Sequence, residues 1–273
     1  MRTAVCMNVR NEEQDIAEWM AFHAEAGFGT QIVFDNASTD RTASLVRAAG
    51  RLWDVRYHHW GQSDHTYQVD AYFTACHIYR HDFDWIAFID SDEYLAVTAP
   101  HPIGEFLAPL GAFGAVGINW AIYGSNGHEA RPDGLLTEAF TRRAEAGFFP
   151  NRHIKSIVQP KAVLACTNPH WFELDGSYCD PAGRPLAWLT EAGAVHHGLT
   201  AAAPDYAQCR VNHYFTRSRA QWAAKVRRGY PADIAIRKLE EFEEYDRNDV
   251  VDTIATRHAP AVRARIAAIQ AAL

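Results

Sequence analysis

Residues 84–95 read DWIAFIDSDEYL. The first half is an apolar segment suited to a buried strand, and Asp90, Asp92 and Glu93 follow it directly. An extended chain turns residues i and i+2 to the same side, so an extended backbone beyond Ile89 would place Asp90 beside Asp92. Two neighbouring carboxylates raise each other's pKa unless a cation lies beside them. The segment therefore predicts a buried strand that ends at a cation-binding position.

The residues before this segment alternate between strand-like and helix-like stretches. Four stretches read as strands, the third being the weakest: 3–9, 31–36, 53–60 and 84–90. Three stretches between them read as helices, 15–27, 38–50 and 67–80, and the first two place their apolar residues at helical spacing. This βαβαβαβ order predicts an α/β fold, a mostly parallel sheet with helices on both faces. In such sheets, ligands bind beyond the carboxyl ends of the strands.

Polar residues follow three of these strands, at the edge where a ligand is expected. They are RNEE (10–13), DNASTD (35–40) and DSDE (90–93). Each could be an ordinary polar loop, but together they predict one rim of acids, amides and Arg10. Mg²⁺ and Mn²⁺ commonly use one or two protein carboxylates plus phosphate oxygens. The rim therefore predicts a phosphate-bearing substrate, with a metal acting as Lewis acid on a departing diphosphate.

The pattern is less regular after residue 100. Two stretches read as strands, 114–124 and 153–166, and the first runs into the Gly-rich segment GSNGHEARPDG (124–134). From residue 205 onward the chain reads as helical, with an acidic helix at 237–246 and an Ala/Arg-rich helix at 259–273. We expect the acidic run to form a solvated face and the last helix to pack on the domain.

Composition restricts the function classes. The chain of 273 residues is 48% hydrophobic and 22% charged, typical of a globular protein with a sizeable core. A net charge of −7 argues against nucleic acid as a partner. No apolar run approaches the roughly 20 residues of a membrane span, and the N-terminus lacks a signal-peptide core. Five dispersed cysteines predict reduced thiols and a cytoplasmic location, with peripheral attachment to the inner face of the membrane as an alternative.

Six stretches together resemble the glycosyltransferase family 2-like proteins related to family 92. They are VRNEEQDIAEWMAFHAEAGF (9–28), IVFDNASTDRT (32–42), WIAFIDSDEYL (85–95), NWAIYGSNGH (119–128), RHIKSIVQP (152–160) and NHYFTRSRAQWAAKVRRG (212–229). Arg10 stands where these proteins often have lysine, and Tyr94 where they often have phenylalanine. The resemblance covers residues 5 to about 229. It implies a GT-A (Rossmann-like) fold, a nucleotide-sugar donor and a divalent metal, Mn²⁺ or Mg²⁺.

The resemblance also implies a division of the chain. A GT-A domain would cover 1–229, with a nucleotide-binding half at about 1–95 and an acceptor and metal half at about 96–229. A helical extension would follow at 230–273. The expected fold is a mixed, mostly parallel sheet flanked by helices, with a helical C-terminal region.

The resemblance also implies roles for individual residues, at the positions of this sequence that match the family's motifs. Residues expected at the donor nucleotide are Arg10, Asn11, Glu12, Asp35, Asn36, Gln68, Asp70, Asp90 and Lys155. The metal and diphosphate site would contain Asp90 and Asp92, with Asp92 the more direct ligand and Glu93 a structural support of the rim.

A distant histidine often completes such a metal site. His213 is favoured over His170, although any one of the 14 histidines, His196 and His197 included, is more often structural or exposed. Arg217 and Lys225, like Lys155, either contact phosphate or acceptor, or are charges on a helix surface or strand edge.

The implied reaction inverts the anomeric centre in one displacement, so one general base should deprotonate the acceptor hydroxyl. Glu129 and Asp133 are candidates, as are Glu173 and Asp175, with Asp92 holding the metal.

The predicted function is transfer of a sugar from a nucleoside diphosphate sugar, expected to be a UDP-sugar, to a glycan, polysaccharide or lipid-linked acceptor. A sugar nucleotidyltransferase is one alternative, although NVRNEEQDIAEW (8–19) lacks the Gly-rich loop typical of that class. A non-catalytic binder of nucleotide sugar or carbohydrate is another, although clustered carboxylates without a use would cost stability.

Overall fold

A computed structural model describes residues 1–62, 64, 66–99, 101–228 and 238–273. The strands in these ranges are β1 (Thr3–Val9), β2 (Thr30–Asp35), β3 (Val55–His59), β4 (Trp85–Phe88), β5 (Glu93–Val97), β6 (Ala115–Ile122), β7 (Arg142–Arg143), β8 (Ile154–Val158), β9 (Val163–Asn168), β10 (Trp171–Leu174), β11 (Tyr178–Cys179), β12 (Trp188–Glu191), β13 (Ala194–Thr200), β14 (Cys209–His213) and β15 (Val250–Val251).

The α-helices are α1 (Ile16–Glu25), α2 (Thr42–Ala49), α3 (Tyr67–Ile78), α4 (Ile103–Leu107), α5 (Leu136–Ala139), α6 (Arg219–Arg228), α7 (Glu241–Tyr245) and α8 (Ala259–Ala271). Short 3₁₀ turns lie at Ala108–Leu110, Phe149–Arg152, Pro160–Ala162 and Ile254–His258.

One large mixed sheet organises the protein. Its strand order is β3-β2-β1-β4-β8-β6-β14-β5, with β11 beside β6. The four strands predicted from the first ninety residues, β1 to β4, pair in parallel. β8 runs antiparallel to both β4 and β6, and β5 runs antiparallel to β14. The predicted α/β fold with a mostly parallel sheet flanked by helices is confirmed.

Alternation along the strands divides the core between the two faces of the sheet. In β1, Val5 and Met7 belong to the apolar cluster that contains residues of α1 and α2. Ala4 and Cys6 belong to the other cluster, which contains residues of α3. Because both of their faces are buried, β1, β2 and β4 are apolar at most positions, as parallel strands covered by helices require.

The C-terminal part differs from its prediction in one respect. The helical character predicted from residue 205 onward is wrong at Cys209–His213, because β14 lies there, inside the sheet between β6 and β5. α8 packs against α1 and α2, as expected for the last helix. Part of the predicted acidic helix is observed as α7, whereas residue 237 lies outside the described residues.

No helix within the described ranges is both long and apolar enough to cross a bilayer.

A buried histidine joins α1 to the sheet. His23 is fully buried, its Nδ1 lies 2.9 Å from the carbonyl oxygen of Trp19, and its Nε2 lies 3.3 Å from the backbone nitrogen of Leu95. Because Leu95 N–H can only donate, Nε2 accepts and Nδ1–H donates, which is the neutral imidazole. Burial lowers the pKa of His23 to about 3.

We expect this histidine to make stability fall in acid. The unfolded chain binds a proton at His23 below about pH 6.5, whereas the folded chain does not, so stability is lost as pH falls from there toward 3. At pH 5 the His23 contribution amounts to about 2 kcal/mol relative to pH 8. Urea unfolding of wild type and His23→Gln from pH 5 to 8 measures this contribution to the free energy of unfolding. His77 is an exposed histidine on α3, so His77→Gln should leave the pH dependence of stability unchanged. An unchanged pH dependence in His23→Gln would contradict the assignment of the effect to His23.

Candidate functional site

A tight turn carries the acidic residues out of the sheet. β4 ends at Phe88 and β5 begins at Glu93, and the backbone N–H of Glu93 donates to the carbonyl oxygen of Asp90 at 3.1 Å. The backbone N–H of Asp90 in turn donates to Glu93 Oε2 at 2.8 Å. The expectation of an extended backbone past Ile89 is therefore wrong. The turn directs Asp90 and Asp92 to different cations.

Asp90 is held by residues of α3 and β8. Its Oδ1 accepts hydrogen bonds from Gln68 Nε2 at 2.8 Å and from the Tyr72 hydroxyl at 2.9 Å. Its Oδ2 lies 3.0 Å from Lys155 Nζ. Burial opposes ionisation of Asp90, but the Lys155 ammonium outweighs it and holds the pKa below its usual value. Asp90 is thus an ionised carboxylate with both oxygens engaged by the protein.

Asp92 faces the C-terminal half of the chain. Its Oδ2 accepts a hydrogen bond from Lys225 Nζ at 2.7 Å, and its Oδ1 lies 3.5 Å from His213 Nε2. Burial opposes the charge of Asp92, yet Lys225 and then His213 hold its pKa well below the ordinary value. β14 positions His213 because this residue is its last and pairs with Glu93 of β5. His213, which the sequence favoured over His170 as a metal ligand, therefore lies beside Asp92, and its role as a ligand stays a prediction.

Lys155 and Glu93 lie beneath the turn. Both side chains are fully buried, and Lys155 Nζ is 3.5 Å from Glu93 Oε2. Burial disfavours the charge of Lys155, but Asp90 and Glu93 outweigh it and raise its pKa. Burial raises the pKa of Glu93 to about 8. Lys155 is therefore an internal counter-ion to the acids rather than a charge at a strand edge.

A cleft opens beside Asp92. Its volume is about 350 Å³, and its walls come from the segments that follow β1, β2, β4 and β14, together with α6. Acids, cations and uncharged residues line it together: Asn11, Glu12, Glu13, Gln14, Asp15, Asp40, Ser91, Asp92, Thr216, Arg217, Gln221, Ala224 and Lys225. The cleft lies at the carboxyl ends of parallel strands, where the sequence predicted a ligand.

Hydrogen bonds between loops bring the ends of β1 and β2 together. Asn11 Oδ1 accepts from the backbone N–H of Thr39 at 2.8 Å, and the backbone N–H of Glu12 donates to Thr42 Oγ1 at 2.9 Å. Asp35 is buried and accepts from the Tyr57 hydroxyl at 2.7 Å. Asn36 is buried as well, and its Oδ1 has no hydrogen-bond partner among the described residues.

Arg217 is a partly buried cation at the cleft. The sequence left its role open between a contact to phosphate or acceptor and a helix-surface charge. It lies before α6 with a positive φ of 53°. Its Nη1 lies 2.5 Å from Asp15 Oδ2 and 3.7 Å from Glu12 Oε2. Asp15 also accepts a hydrogen bond from Arg131 Nη1 at 2.6 Å. Asp15 was read only as a helix start, and no local pattern reveals that two distant arginines share its carboxylate.

Other predicted site residues lie apart from the cleft. Asp70 is exposed and accepts from Thr66 Oγ1 at 2.6 Å, and Arg10 is exposed at the end of β1. The Glu129 side chain is 81% exposed and lies 3.7 Å from Arg219 Nε. Asp133 is exposed too, as are Glu173, Asp175, His196 and His197. None of these side chains lines the cleft described above.

His170 lies in a cluster of rings around Trp120. Its Nδ1 is 3.0 Å from the carbonyl oxygen of Ile154, so Nδ1–H donates and Nε2 is left as the acceptor. The ring centroid of Trp120 lies 5.2 Å from that of His170 and 4.4 Å from that of His213. Burial lowers the pKa of His170 to about 3. His213, not His170, is the histidine within ion-pair distance of Asp92.

A metal ion at this site would need ligands from its substrate. In the part of the chain that the structure describes, no three His, Cys, Asp or Glu side chains converge to hold a cation. Asp92 Oδ1 and His213 Nε2, 3.5 Å apart, are two donors that one ion could share. Adjacent ligands at about 2.1 Å from Mg²⁺ lie roughly 3 Å apart, close to this separation. The donor set fits a hard divalent ion that keeps positions for phosphate oxygens.

Comparison with known proteins identifies relatives for most of the same region. The family model for glycosyltransferase family 92 matches residues 2–181. A family 92 protein of Oryza sativa subsp. japonica is 28% identical over 166 residues, which are 58% of this chain and 27% of that protein. A family 92 protein of Ricinus communis is 25% identical over 171 residues, 58% of this chain and 29% of that protein. The chain spans less than a third of the length of these relatives.

Solved structures show partial likeness. TarS 1–349 from S. aureus has a TM-score of 0.38 and 16% identity, over 59% of this chain and 47% of that one. HddC from Yersinia pseudotuberculosis has a TM-score of 0.39 and 12% identity, over 66% of this chain and 89% of that one. Likeness of this extent carries no information on activity.

Proposed function

The chain belongs to glycosyltransferase family 92, and from this premise we propose that it transfers a sugar from a nucleoside diphosphate sugar to a hydroxyl group of a glycan, polysaccharide or lipid-linked acceptor. The donor nucleotide proposed for the first tests is UDP. The reaction is proposed to be a single displacement with inversion, and to depend on Mn²⁺ or Mg²⁺.

One observation carries this proposal. Asp92 lines a cleft at the carboxyl ends of the strands, with His213 on one side of its carboxylate and Lys225 on the other. An anionic diphosphate needs cations around it, and acids alone would repel it. The cleft offers two cations, because Arg217 and Lys225 are among its lining residues, where they pair with Asp15 and Asp92.

The residues present suit a divalent cation, with Asp92 and His213 as its protein ligands. When bound, the cation would act as a Lewis acid toward the leaving diphosphate. Arg217 and Lys225 would add fixed positive charge within the cleft, and such preorganised charge stabilises a departing anion. Asp90 would hold the turn in place, because Lys155, Gln68 and Tyr72 already occupy both of its oxygens.

The nucleoside is proposed to lie at the ends of β1 and β2. Asp35 is the last residue of β2 and Asn36 follows it. The Oδ1 of Asn36, which has no hydrogen-bond partner among the described residues, is suited to accept a hydrogen bond from a base or ribose. Asn11 and Glu12 form the neighbouring wall of the cleft. Gln68 contributes indirectly through its bond to Asp90.

Binding of nucleotide and metal should be cooperative. We expect UDP and Mn²⁺ together to raise the melting temperature by more than the sum of their separate effects, because the two protein ligands leave metal positions for phosphate oxygens. Differential scanning fluorimetry with UDP, GDP, ADP and Mn²⁺, singly and in pairs, measures this. EDTA should abolish the effect. A melting temperature unmoved by every pair would refute nucleotide binding, and diphosphate release without transfer to any acceptor would indicate a binder or hydrolase.

The general base stays a prediction, with Glu129 and Asp133 as the candidates for the first test and Glu173 and Asp175 as the other two. If either acts as the base, its Gln or Asn variant lowers kcat by about 10²–10⁴-fold and leaves metal-dependent UDP binding unchanged. Turnover of Glu129→Gln and Asp133→Asn at saturating donor measures this, each variant serving as the control for the other. Wild-type turnover in both variants would exclude the pair.

A further inference from the structure

Glu93 is the most completely enclosed acid of the site, with no exposed side-chain surface. Its Oε2 accepts the backbone N–H of Asp90 at 2.8 Å and lies 3.5 Å from Lys155 Nζ. Both of these neighbours are donors, so this oxygen must act as an acceptor. Glu93 therefore fixes the turn on which Asp92 stands.

The other oxygen of Glu93 points toward His213. Glu93 Oε1 and His213 Nδ1 are 3.9 Å apart, and neither atom has a hydrogen-bond partner among the described residues. Both atoms are buried, and a buried polar atom without a partner costs stability. The backbone register keeps them facing each other, because Glu93 and His213 are paired residues of β5 and β14.

We propose that Glu93 is a positioning residue, which accepts the Nδ1–H of His213 and thereby presents the Nε2 lone pair of that imidazole to a divalent cation beside Asp92. This inference rests on the proposed function, since it concerns the same cation. A closing movement of less than 1 Å would convert the 3.9 Å separation into a hydrogen bond of ordinary length. A histidine that binds a metal commonly donates its other ring N–H to a carboxylate, which fixes its tautomer and orientation.

The same geometry predicts that glutamine does not replace Glu93. Burial raises the pKa of Glu93, but the Lys155 ammonium and a divalent cation beside Asp92 both favour its ionised form. The carboxylate then offers an acceptor at each oxygen, one toward Asp90 N–H and Lys155 and the other toward His213. A glutamine amide has one acceptor and one donor. If its oxygen keeps the bond from Asp90, its NH₂ faces His213 and favours the tautomer with Nε2 protonated, which cannot bind a metal. If the amide is reversed, the NH₂ faces the N–H of Asp90 and the ammonium of Lys155.

Metal affinity of the full chain tests the proposal. Titration of Mn²⁺ in the presence of UDP, followed by electron paramagnetic resonance of the free ion, gives the dissociation constant for wild type and Glu93→Gln. We expect Glu93→Gln to raise it by about 10–100-fold. The matched control is Glu18→Gln, because Glu18 is also buried and accepts hydrogen bonds, but from Leu136 and Thr137. Glu18→Gln should leave Mn²⁺ affinity within about twofold of wild type.

A second measurement needs no variant. The ¹⁵N shifts of His213 in wild type with UDP and diamagnetic Mg²⁺ report its tautomer. Protonated Nδ1 with unprotonated Nε2 supports the proposal, and protonated Nε2 overturns it. A folded Glu93→Gln that binds Mn²⁺ like wild type overturns the inference alone. A wild-type chain that binds no Mn²⁺ with any nucleotide overturns both the inference and the metal dependence on which it rests.

Discussion

Replacement of Asp92 with asparagine is expected to lower kcat/KM by about 10³-fold, because the loss of one charged group at a reacting centre lowers rates by about this factor. The substitution preserves shape but removes the charge that faces Lys225 and His213. Release of nucleoside diphosphate from the best nucleotide sugar, measured with a working acceptor, gives the value. We also expect weaker binding of Mn²⁺, because one of two protein ligands loses its charge.

The control for this substitution lies in the same cleft. Asp40 lines it from the β2 side, and its carboxylate accepts backbone N–H groups of Glu13 and Thr42. Asp40→Asn should change kcat/KM by no more than about tenfold, since Asp40 has no bond to the histidine or lysine around Asp92. Comparable losses in both variants would mean that the cleft responds to any lost charge. A folded Asp92→Asn with wild-type kcat/KM would eliminate Asp92 from the reaction.

Replacement of Lys155 with methionine is expected to lower the free energy of unfolding by about 3–5 kcal/mol. Lys155 is the buried cation between Asp90 and Glu93, and without it two acids remain in an enclosed space with no counter-ion on that side. Urea unfolding followed by circular dichroism measures the loss. The exposed Lys161, on the 3₁₀ turn that follows β8, provides the control: Lys161→Met should change stability by less than about 0.5 kcal/mol.

A double variant separates charge from packing. Lys155→Met combined with Glu93→Gln removes the lysine and one of the acids that it neutralises. If the loss arises from uncompensated charge, the double variant should be less destabilised than the sum of the two single variants, by about 0.5–3 kcal/mol. Strict additivity would assign the effect to lost packing instead.

The parallel half of the sheet could be predicted because its strands and helices carry strong local patterns. β1, β2 and β4 are apolar on both faces, and α1 and α2 between them place apolar residues at helical spacing. β14 could not be predicted in this way. Its buried residues include Arg210, Asn212 and His213, which break the apolar signature, and the charge of Arg210 is met by Asp252 far along the chain.

The sequence predicts the acidic residues of the candidate site but not the residues that pair with them. A run such as DSDE indicates a cluster of carboxylates, but spacing alone does not show that the chain turns between Asp90 and Glu93. The cations belong to β8 and to α6, and nothing local distinguishes Lys155 or Lys225 from a surface lysine. Tertiary contact decides their role, because a charge between two carboxylates differs from the same charge in water.

The acids of the central turn and the groups that balance them come from opposite parts of the polypeptide. Asp90, Asp92 and Glu93 precede residue 95, whereas Lys155, His213 and Lys225 all follow residue 150. A fragment cut shortly after β5 would retain the negative charges and lose every one of those three neutralising side chains. If residues 1–95 were exchanged between relatives, the basic residues that pair with these acids would have to be exchanged as well. Neither part of the chain balances its own charge.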